Sequence, residues 1–174
     1  MSELVRYALR DGVVTLTLNR PEVLNALNGE LVEALDGALG RVRRDGARAG
    51  VLTGAGRGFC SGADLANLGP GFDPTNSVHV RGWVNRMHEV LLRLFEMEIP
   101  WLAAVNGPAV GVGANFALAC DARVLREAAC VEQLEKPVLV HIEEVDGERI
   151  IGERVRADAG ERATTRGSTS RSGK

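Results

Sequence analysis

The sequence predicts an α/β domain made of repeated strand–strand–helix units. A strand, a glycine-rich loop and a helix follow one another twice, with the loops at residues 54–62 and 106–113. An antiparallel hairpin at the amino terminus precedes both series. A repeated order of this kind favours stacked β-β-α units over one open sheet.

Each element carries a local signal for its type. Residues 4–9 and 13–18 are β-prone runs, and Asp11-Gly12 between them is a strong hairpin signal. From Gly29 the apolar period becomes helical, because one face collects Leu31, Leu35, Ala38, Leu39 and Val42.

Local signals of the same kind predict the elements between residues 50 and 120. Residues 50–53 and 101–105 are short apolar runs that indicate buried strands. Helical spacing of apolar residues between Val80 and Leu94 predicts a second amphipathic helix. The small residues 111–120 predict a third helix that packs closely against its neighbours.

Composition excludes several classes of function. The chain has 174 residues, 45% of them hydrophobic and 25% charged, which is typical of a globular domain with a sizeable core. A net charge of -2 does not indicate the basic surface that binding to nucleic acid or to a membrane surface requires. The start of the sequence has no signal-peptide pattern, and no apolar run is long enough for a membrane span. Three cysteines without metal-ligand spacing suit a reducing compartment, so we expect a cytoplasmic protein without a metal site.

The carboxyl-terminal part of the chain has a different character. Residues 138–142 could form a strand that Asp146-Gly147 turns back toward Ile150 and Ile151. From Gly160 onward there is no large apolar side chain, so this segment cannot offset its ordering entropy. We therefore expect a core over residues 1–136, a divergent segment with a β-hairpin over 137–159 and a disordered basic tail over 160–174.

The two glycine-rich loops are the candidates for chemistry. Each lies between a strand and a helix, where glycines free backbone N–H groups to face a ligand and the helix N-terminus adds positive potential. The first loop is not a dinucleotide fingerprint, because Phe59 stands in place of the third glycine. A tight turn is a competing explanation for residues 54–58, but it explains the small residues 62–64 less well. Two such turns can converge on one oxygen atom, as the stabilisation of an oxyanion requires.

Short motifs occur in a fixed order over about residues 4–124. They are Leu18-Asn19-Arg20-Pro21, Leu24-Asn25-Ala26-Leu27, Val51-Leu52-Thr53-Gly54, Phe59-Cys60-Ser61-Gly62-Ala63-Asp64-Leu65, Ala103-Ala104-Val105-Asn106-Gly107 and Leu118-Ala119-Cys120-Asp121. In order and spacing they closely resemble the crotonase (enoyl-CoA hydratase/isomerase) superfamily. The resemblance implies the crotonase spiral of β-β-α units. Nothing after residue 136 resembles the family's second half, so we expect a fold that is incomplete at its carboxyl terminus, as in a truncated or frame-shifted copy.

The resemblance also implies roles for individual residues. The backbone amides of Ala63 and Val112 would donate to the thioester oxygen of an acyl-CoA. Val112 replaces a glycine of the family, which keeps the amide but adds a β-branched side chain that restricts the backbone. The remaining substrate-binding positions implied by the family are Leu24, Ala26, Asp64, Leu65, Ala66 and Gly111.

The catalytic carboxylates are less clearly marked. Family hydratases use two glutamates as acid and base. The first of these positions is Asn115 here, whose amide can orient water but cannot exchange a proton near neutral pH. A gapless continuation from Cys120-Asp121 puts Glu135 at the second position. The sequence leaves two interpretations open: Glu135 faces the thioester, or it joins Glu127 and Glu132 on the solvated face of a charged segment.

These alternatives lead to two functional expectations. In the superfamily that the chain resembles, one carboxylate opposite two amide donors is typical of double-bond isomerases. The chain would then hydrate or isomerise the double bond of an enoyl-CoA, as a lyase or isomerase of fatty acid metabolism. Without that carboxylate it would be an inactive remnant that binds CoA esters. The resemblance implies an acyl-CoA ligand, no cofactor beyond the CoA of the substrate, and homo-oligomers, since family members form trimers through a region that is not recognisable here. Cys60 lacks a nearby basic partner in the sequence, so we expect it to pack rather than react.

Overall fold

A computed structural model describes residues 3–69, 71–73, 75–126, 129–132, 143–145 and 148–151. The strands are β1 (Val5–Arg10), β2 (Val13–Leu18), β3 (Ala49–Gly54), β4 (Trp101–Val105), β5 (Ala109–Val110), β6 (Ala122–Leu125), β7 (Val131–Glu132), β8 (Glu143–Val145) and β9 (Glu148–Ile151). The helices are α1 (Gly29–Arg44), α2 (Ser77–Phe95) and α3 (Val112–Ala119), and a 3-10 turn spans Pro21–Val23.

The amino-terminal hairpin is confirmed. Strands β1 and β2 pair antiparallel, from Val5 opposite Leu18 to Arg10 opposite Val13. Asp11 and Gly12 both have positive φ, 51° and 80°, which matches the twist that a two-residue hairpin turn requires. The pairing leaves β2 with its buried side chains on one face.

Beyond the hairpin the chain forms the predicted spiral. In the part that the structure describes, seven strands make one sheet of order β1-β2-β3-β4-β6-β9-β8, within which β2, β3, β4 and β6 pair in parallel. Each turn of the chain also places a short segment in a second stack. That stack contains the parallel bridge of Leu27 with Ala63, the parallel bridge of Cys60 with Ala109, and the parallel pair β5 and β7.

A helix follows each of the first three contributions to the second stack, which gives the repeated β-β-α unit that the sequence predicts. The predicted strands at residues 50–53 and 101–105 and the three predicted helices are therefore confirmed. Helix α1 begins where the Asn28 side chain accepts a hydrogen bond from Leu31 N at 2.9 Å. Its buried face consists of Leu31, Val32, Leu35, Leu39 and Val42.

Helices α1 and α2 are joined by ion pairs as well as by apolar contacts. The Arg86 guanidinium on α2 donates to Glu33 at 2.6 and 2.8 Å and to Asp36 at 2.8 Å. Arg93 lies 2.6 Å from the other Asp36 oxygen. Most of these side chains are partly solvated, so we expect each ion pair to add at most about 1 kcal/mol to stability. No helix in the described ranges is both long and apolar enough to cross a membrane.

The last described strands extend the main sheet. Strand β9 pairs antiparallel with β6, with Val124 opposite Ile150, and β8 pairs antiparallel with β9, with Glu143 opposite Ile150. The two strands flank Asp146-Gly147. The strand predicted over residues 138–142 and the tail predicted over 160–174 lie outside the described residues.

Candidate active site

Asn25 holds the turn that follows β3. Its side chain is fully buried and its φ is 58°, a left-handed conformation that asparagine tolerates better than most residues. The side-chain nitrogen donates to Ala55 O at 3.0 Å and to Gly58 O at 2.9 Å, while its oxygen accepts from Arg20 N at 2.9 Å. The buried amide therefore ties the 3-10 segment to the glycine-rich turn.

Asn106 supports the same turn from the strand β4 side. Its side-chain nitrogen donates to Gly56 O at 3.0 Å and to Gly58 O at 3.3 Å, and its oxygen accepts from Gly54 N at 3.2 Å. A Cβ atom at Gly107 would overlap the carbonyl oxygen of Arg57. The first glycine-rich loop and the segment after β4 thus touch through their backbones.

The Gly62–Ala63 peptide is oriented by the segment before α1. Gly62 O accepts from Leu27 N at 2.7 Å, and Asp64 N donates to Leu27 O at 2.9 Å. The carbonyl and the N–H of one trans peptide point in opposite directions. Because the Gly62 carbonyl faces Leu27, the Ala63 N–H points away from that segment.

The Gly111–Val112 peptide is oriented by helix α3. Gly111 precedes the helix with a φ of 55° and a ψ of -124°, and its carbonyl accepts from Asn115 N at 3.2 Å. Val112 is the first residue of the helix, where N–H groups have no partner inside the helix. The Val112 N–H therefore points out of the helix N-terminus.

The two peptides lie on segments that are in direct contact. Val110 N donates to Cys60 O at 2.9 Å, and Cys60 N donates to Pro108 O at 3.1 Å. A Cβ atom at Gly62, which has a φ of 96°, would lie 2.9 Å from Val110 O and 4.0 Å from Val112 N. Only a residue without a side chain allows this approach.

Neither the Ala63 N–H nor the Val112 N–H donates a hydrogen bond within the described ranges. Ala63 and Val112 are partly exposed, so N–H groups without a protein acceptor at these positions can donate to water or to a ligand. Both donors lie on loops that are in direct contact.

The predicted substrate-binding residues before α1 lie beside the first loop. Leu24 O accepts from Ser61 N at 3.0 Å, so the segment 24–27 runs alongside residues 61–64. Leu24 is half-buried with a φ of 53°, and its side chain lies against Gly58. Ala26 is buried. The structure therefore brings Leu24 and Ala26 next to the Gly62–Ala63 peptide.

The residues after Ala63 divide into two groups. Leu65 is 82% exposed and Ala66 is also exposed, so both face the outside of the loop. The Asp64 carboxylate instead turns inward, where it accepts from Arg20 at 2.9 Å with only 12% of its side chain exposed. Arg20 and the two asparagines were present in the sequence motifs, but no local pattern indicates that Arg20 pairs with a residue 44 positions away.

The candidate carboxylates are not all part of the described structure. Glu135 and Glu127 lie outside the described residues. Glu132 belongs to β7, and nothing is described of its side chain. Asn115 is half-buried on α3, one helical turn after Gly111. The role predicted for Glu135 therefore stays a prediction.

The cysteine next to the first loop is a packing residue. Burial raises the pKa of Cys60 to about 11, even though a backbone hydrogen bond from Gly62 acts in the opposite direction. A thiol with such a pKa is protonated near neutral pH and is a poor nucleophile. No group of potential metal ligands comes together in the ranges that the structure describes.

Comparisons with known proteins identify the family to which the chain belongs. Residues 8–139 match the family model described as "Enoyl-CoA hydratase/isomerase". The chain is 42% identical over 130 residues to a protein of Rhodobacter capsulatus named "Probable enoyl-CoA hydratase", covering 74% of this chain and 48% of the relative. It is 42% identical over 132 residues to the 1,2-epoxyphenylacetyl-CoA isomerase of Escherichia coli, covering 74% of this chain and 50% of that enzyme.

Solved structures give the same result. A Pseudomonas aeruginosa protein superposes with a TM-score of 0.67 at 40% identity, covering 73% of this chain and 54% of that chain. The enoyl-CoA hydratase of Mycobacterium smegmatis superposes with a TM-score of 0.66 at 32% identity, covering 71% and 48%. The chain thus spans about half the length of the relatives that it matches. The family model covers most of the chain, and the chain therefore belongs to the enoyl-CoA hydratase/isomerase family.

Proposed function

We propose that the chain binds an acyl-CoA thioester with the carbonyl oxygen between the N–H groups of Ala63 and Val112. The observation that carries this proposal is the pair of amides without acceptors on touching loops, each oriented by a hydrogen bond to the carbonyl of its own peptide. Such donors stabilise an oxyanion or enolate without reorganising during the reaction. Removal of one donor from a site of this kind costs about 3–4 kcal/mol, or roughly 100- to 1000-fold in rate.

The polarised carbonyl would activate an enoyl-CoA for either of two reactions. Withdrawal of electrons makes the β-carbon susceptible to water, and it also makes a γ-proton acidic. The first reaction is hydration and the second leads to migration of the double bond. A carboxylate must then move a proton at Cα or Cγ, and Glu135 is the residue that we propose for this role.

The presence of an amide at Asn115 favours double-bond isomerisation, which needs one carboxylate, over hydration, which uses two. The Asn115 amide occupies the position that bears the first glutamate of family hydratases, on α3 one turn after the proposed Val112 donor. An amide cannot take a proton from water near neutral pH. The same residue supports the second candidate function, in which the chain binds CoA esters without turning them over.

A calorimetric titration of the purified chain tests the binding proposal. We expect crotonyl-CoA to saturate the protein and to bind more tightly than free CoA, because only the acylated form offers a thioester carbonyl to the two amides. Acetyl-CoA should resemble crotonyl-CoA in this respect. An absence of saturation at millimolar crotonyl-CoA would remove the proposal.

Turnover of crotonyl-CoA or a 3-enoyl-CoA distinguishes the enzyme from the binding module. We expect Glu135→Gln to abolish turnover and to leave ester binding nearly unchanged, because only proton transfer is lost. Glu127→Gln serves as the matched control and should retain activity. Asn115→Glu should raise hydration, since it returns the second carboxylate. Undiminished turnover by Glu135→Gln would contradict the assignment, and wild-type protein that binds esters without turnover would support the second candidate.

A further inference from the structure

Arg20 is a largely buried cation that the proposed reaction does not use. Its side chain is 11% exposed and donates to two acceptors that lie on different segments. One is the Asp64 carboxylate at 2.9 Å, and the other is the carbonyl of Ala26 at 2.5 Å. The planar guanidinium can hold both in a fixed relation, which the single charge of a lysine would not do.

These two acceptors flank the bridge between Leu27 and Ala63. Ala26 immediately precedes Leu27, and Asp64 immediately follows Ala63. The bridge itself consists of the hydrogen bonds from Leu27 N to Gly62 O and from Asp64 N to Leu27 O. Arg20 therefore connects the two sides of the bridge, one residue away from the amide that is proposed to bind the thioester oxygen.

The backbone of Arg20 is anchored as well. Its N–H donates to Asn25, which holds the glycine-rich turn through Ala55 and Gly58. The side chain and the main chain of Arg20 thus reach both halves of the first loop. A salt bridge between Arg20 and Asp64 would not by itself require these additional contacts of Arg20.

We propose that Arg20 is a positioning residue, which acts through Asp64 to set the direction of the Ala63 N–H toward the thioester oxygen. The inference rests on the proposed function of Ala63. Loss of the ion pair would let the Gly62–Ala63 peptide rotate away from the carbonyl. Hydrogen bonding to the thioester would then weaken, while the rest of the CoA would still bind.

The test is the infrared stretching frequency of the carbonyl in bound crotonyl-CoA labelled with ¹³C at C1. Hydrogen bonds lower this frequency, so the shift on binding reports the two amide donors directly. We expect Arg20→Gln and Asp64→Asn each to lose at least half of the wild-type shift. The double variant should lose no more than the larger single loss, because Arg20 acts through Asp64.

Arg86→Gln is the matched control. It removes another arginine that is paired with carboxylates, between α1 and α2 and away from the loops. We expect this variant to lower thermal stability and to keep the full carbonyl shift. A full shift in folded Arg20→Gln and Asp64→Asn would overturn the positioning role while the proposed function stands. A wild-type protein that binds the ester without any shift would overturn the proposed function and this inference with it.

Hydrogen exchange in the ligand-free protein provides a second measurement if Arg20→Gln does not fold. Asp64→Asn keeps an oxygen that Arg20 can contact, so it is the milder change. We expect the Leu27 amide, which donates to Gly62 O, to exchange at least about tenfold faster in Asp64→Asn, while amides of β3 keep their rates. An equal exchange rate of the Leu27 amide in Asp64→Asn and in the wild type would overturn the positioning role.

Discussion

The two loops that bear the candidate donors are held in different ways. The Gly62–Ala63 peptide is fixed by residues far away in the sequence, above all Leu27, whose N–H bonds the Gly62 carbonyl. The Gly111–Val112 peptide is fixed by its own helix, through Asn115 N. The first donor therefore depends on the tertiary frame, and the second depends on where α3 begins.

Substitution of Gly113 should produce the largest effect, because it separates the two loops. A Cβ atom there would overlap the Cys60 carbonyl oxygen and lie 2.8 Å from the carbonyl carbon, so main chain must move. We expect Gly113→Ala to lower the free energy of unfolding by more than about 3 kcal/mol, measured by urea denaturation.

Gly82→Ala is the control for this prediction. Gly82 lies inside α2, and a Cβ atom there would have nothing within 4 Å. Alanine should stabilise the protein by roughly 0.5–1 kcal/mol at such a helical position. Equal unfolding free energies for Gly113→Ala and wild type would show that the loops are not in close contact.

Substitution of Gly62 should have a smaller effect that is confined to the first loop. Alanine would meet Val110 O at 2.9 Å and would also be strained by the φ of 96°. We expect a loss of about 1–3 kcal/mol in the free energy of unfolding. Gly46→Ala isolates the backbone strain, because Gly46 has a φ of 64° and nothing within 4 Å of the added atom. A loss no greater than that of Gly46→Ala would argue against the contact with Val110.

The contrast between the loops also explains what the sequence could predict. The hairpin at Asp11-Gly12 and the amphipathic helix α1 are specified by neighbouring residues, and both are confirmed. The family motifs place Ala63 and Val112 on loops, but their contact depends on how β3 and β4 pair across 51 residues of sequence. No periodicity of apolar residues in the local sequence predicts that β3 and β4 pair.

Two features were missed for a related reason. Strands β5 and β7 are two residues long, which is too short for alternation to be visible. Arg20 and Asp64 form an ion pair, but the residues next to each of them in the sequence do not indicate that the two side chains meet. Such long-range polar contacts follow from the completed fold rather than from spacing.

Two buried cysteines, one in the first loop and one at the end of α3, predict how the stability of the protein changes at alkaline pH. Burial raises the pKa of Cys60 to about 11, and burial also raises that of Cys120, which ends α3, to about 12. An unfolded thiol has a pKa of about 8.5. Because the folded pKa values are raised, the contribution of the protonated thiols to stability is fully present below about pH 8.5. It is lost as pH rises from there toward about 11 for Cys60 and about 12 for Cys120. Each thiol should contribute a slope of roughly 1.4 kcal/mol per pH unit.

Urea denaturation under reducing conditions at several alkaline pH values measures this slope. Cys60→Ala and Cys120→Ala should each remove one thiol's share of it. Cys130→Ala, at an exposed cysteine, is the matched control. A slope that does not respond to either buried cysteine would show that these thiols ionise equally in the folded and unfolded states.

The proposed function requires that the amides of Val112 and Ala63 together bind the thioester oxygen. Val112→Pro removes this donor at the first position of a helix, where proline is well tolerated. Val112→Gly is the matched control, since it changes the side chain and keeps the N–H.

The most direct measurement is the carbonyl frequency of ¹³C-labelled crotonyl-CoA bound to these two variants. We expect Val112→Gly to show the full wild-type shift to lower frequency. Val112→Pro should remain folded, bind the ester more weakly and lose about half of the shift, because one of two donors is gone. A full shift in folded Val112→Pro would contradict the role proposed for the Val112 amide.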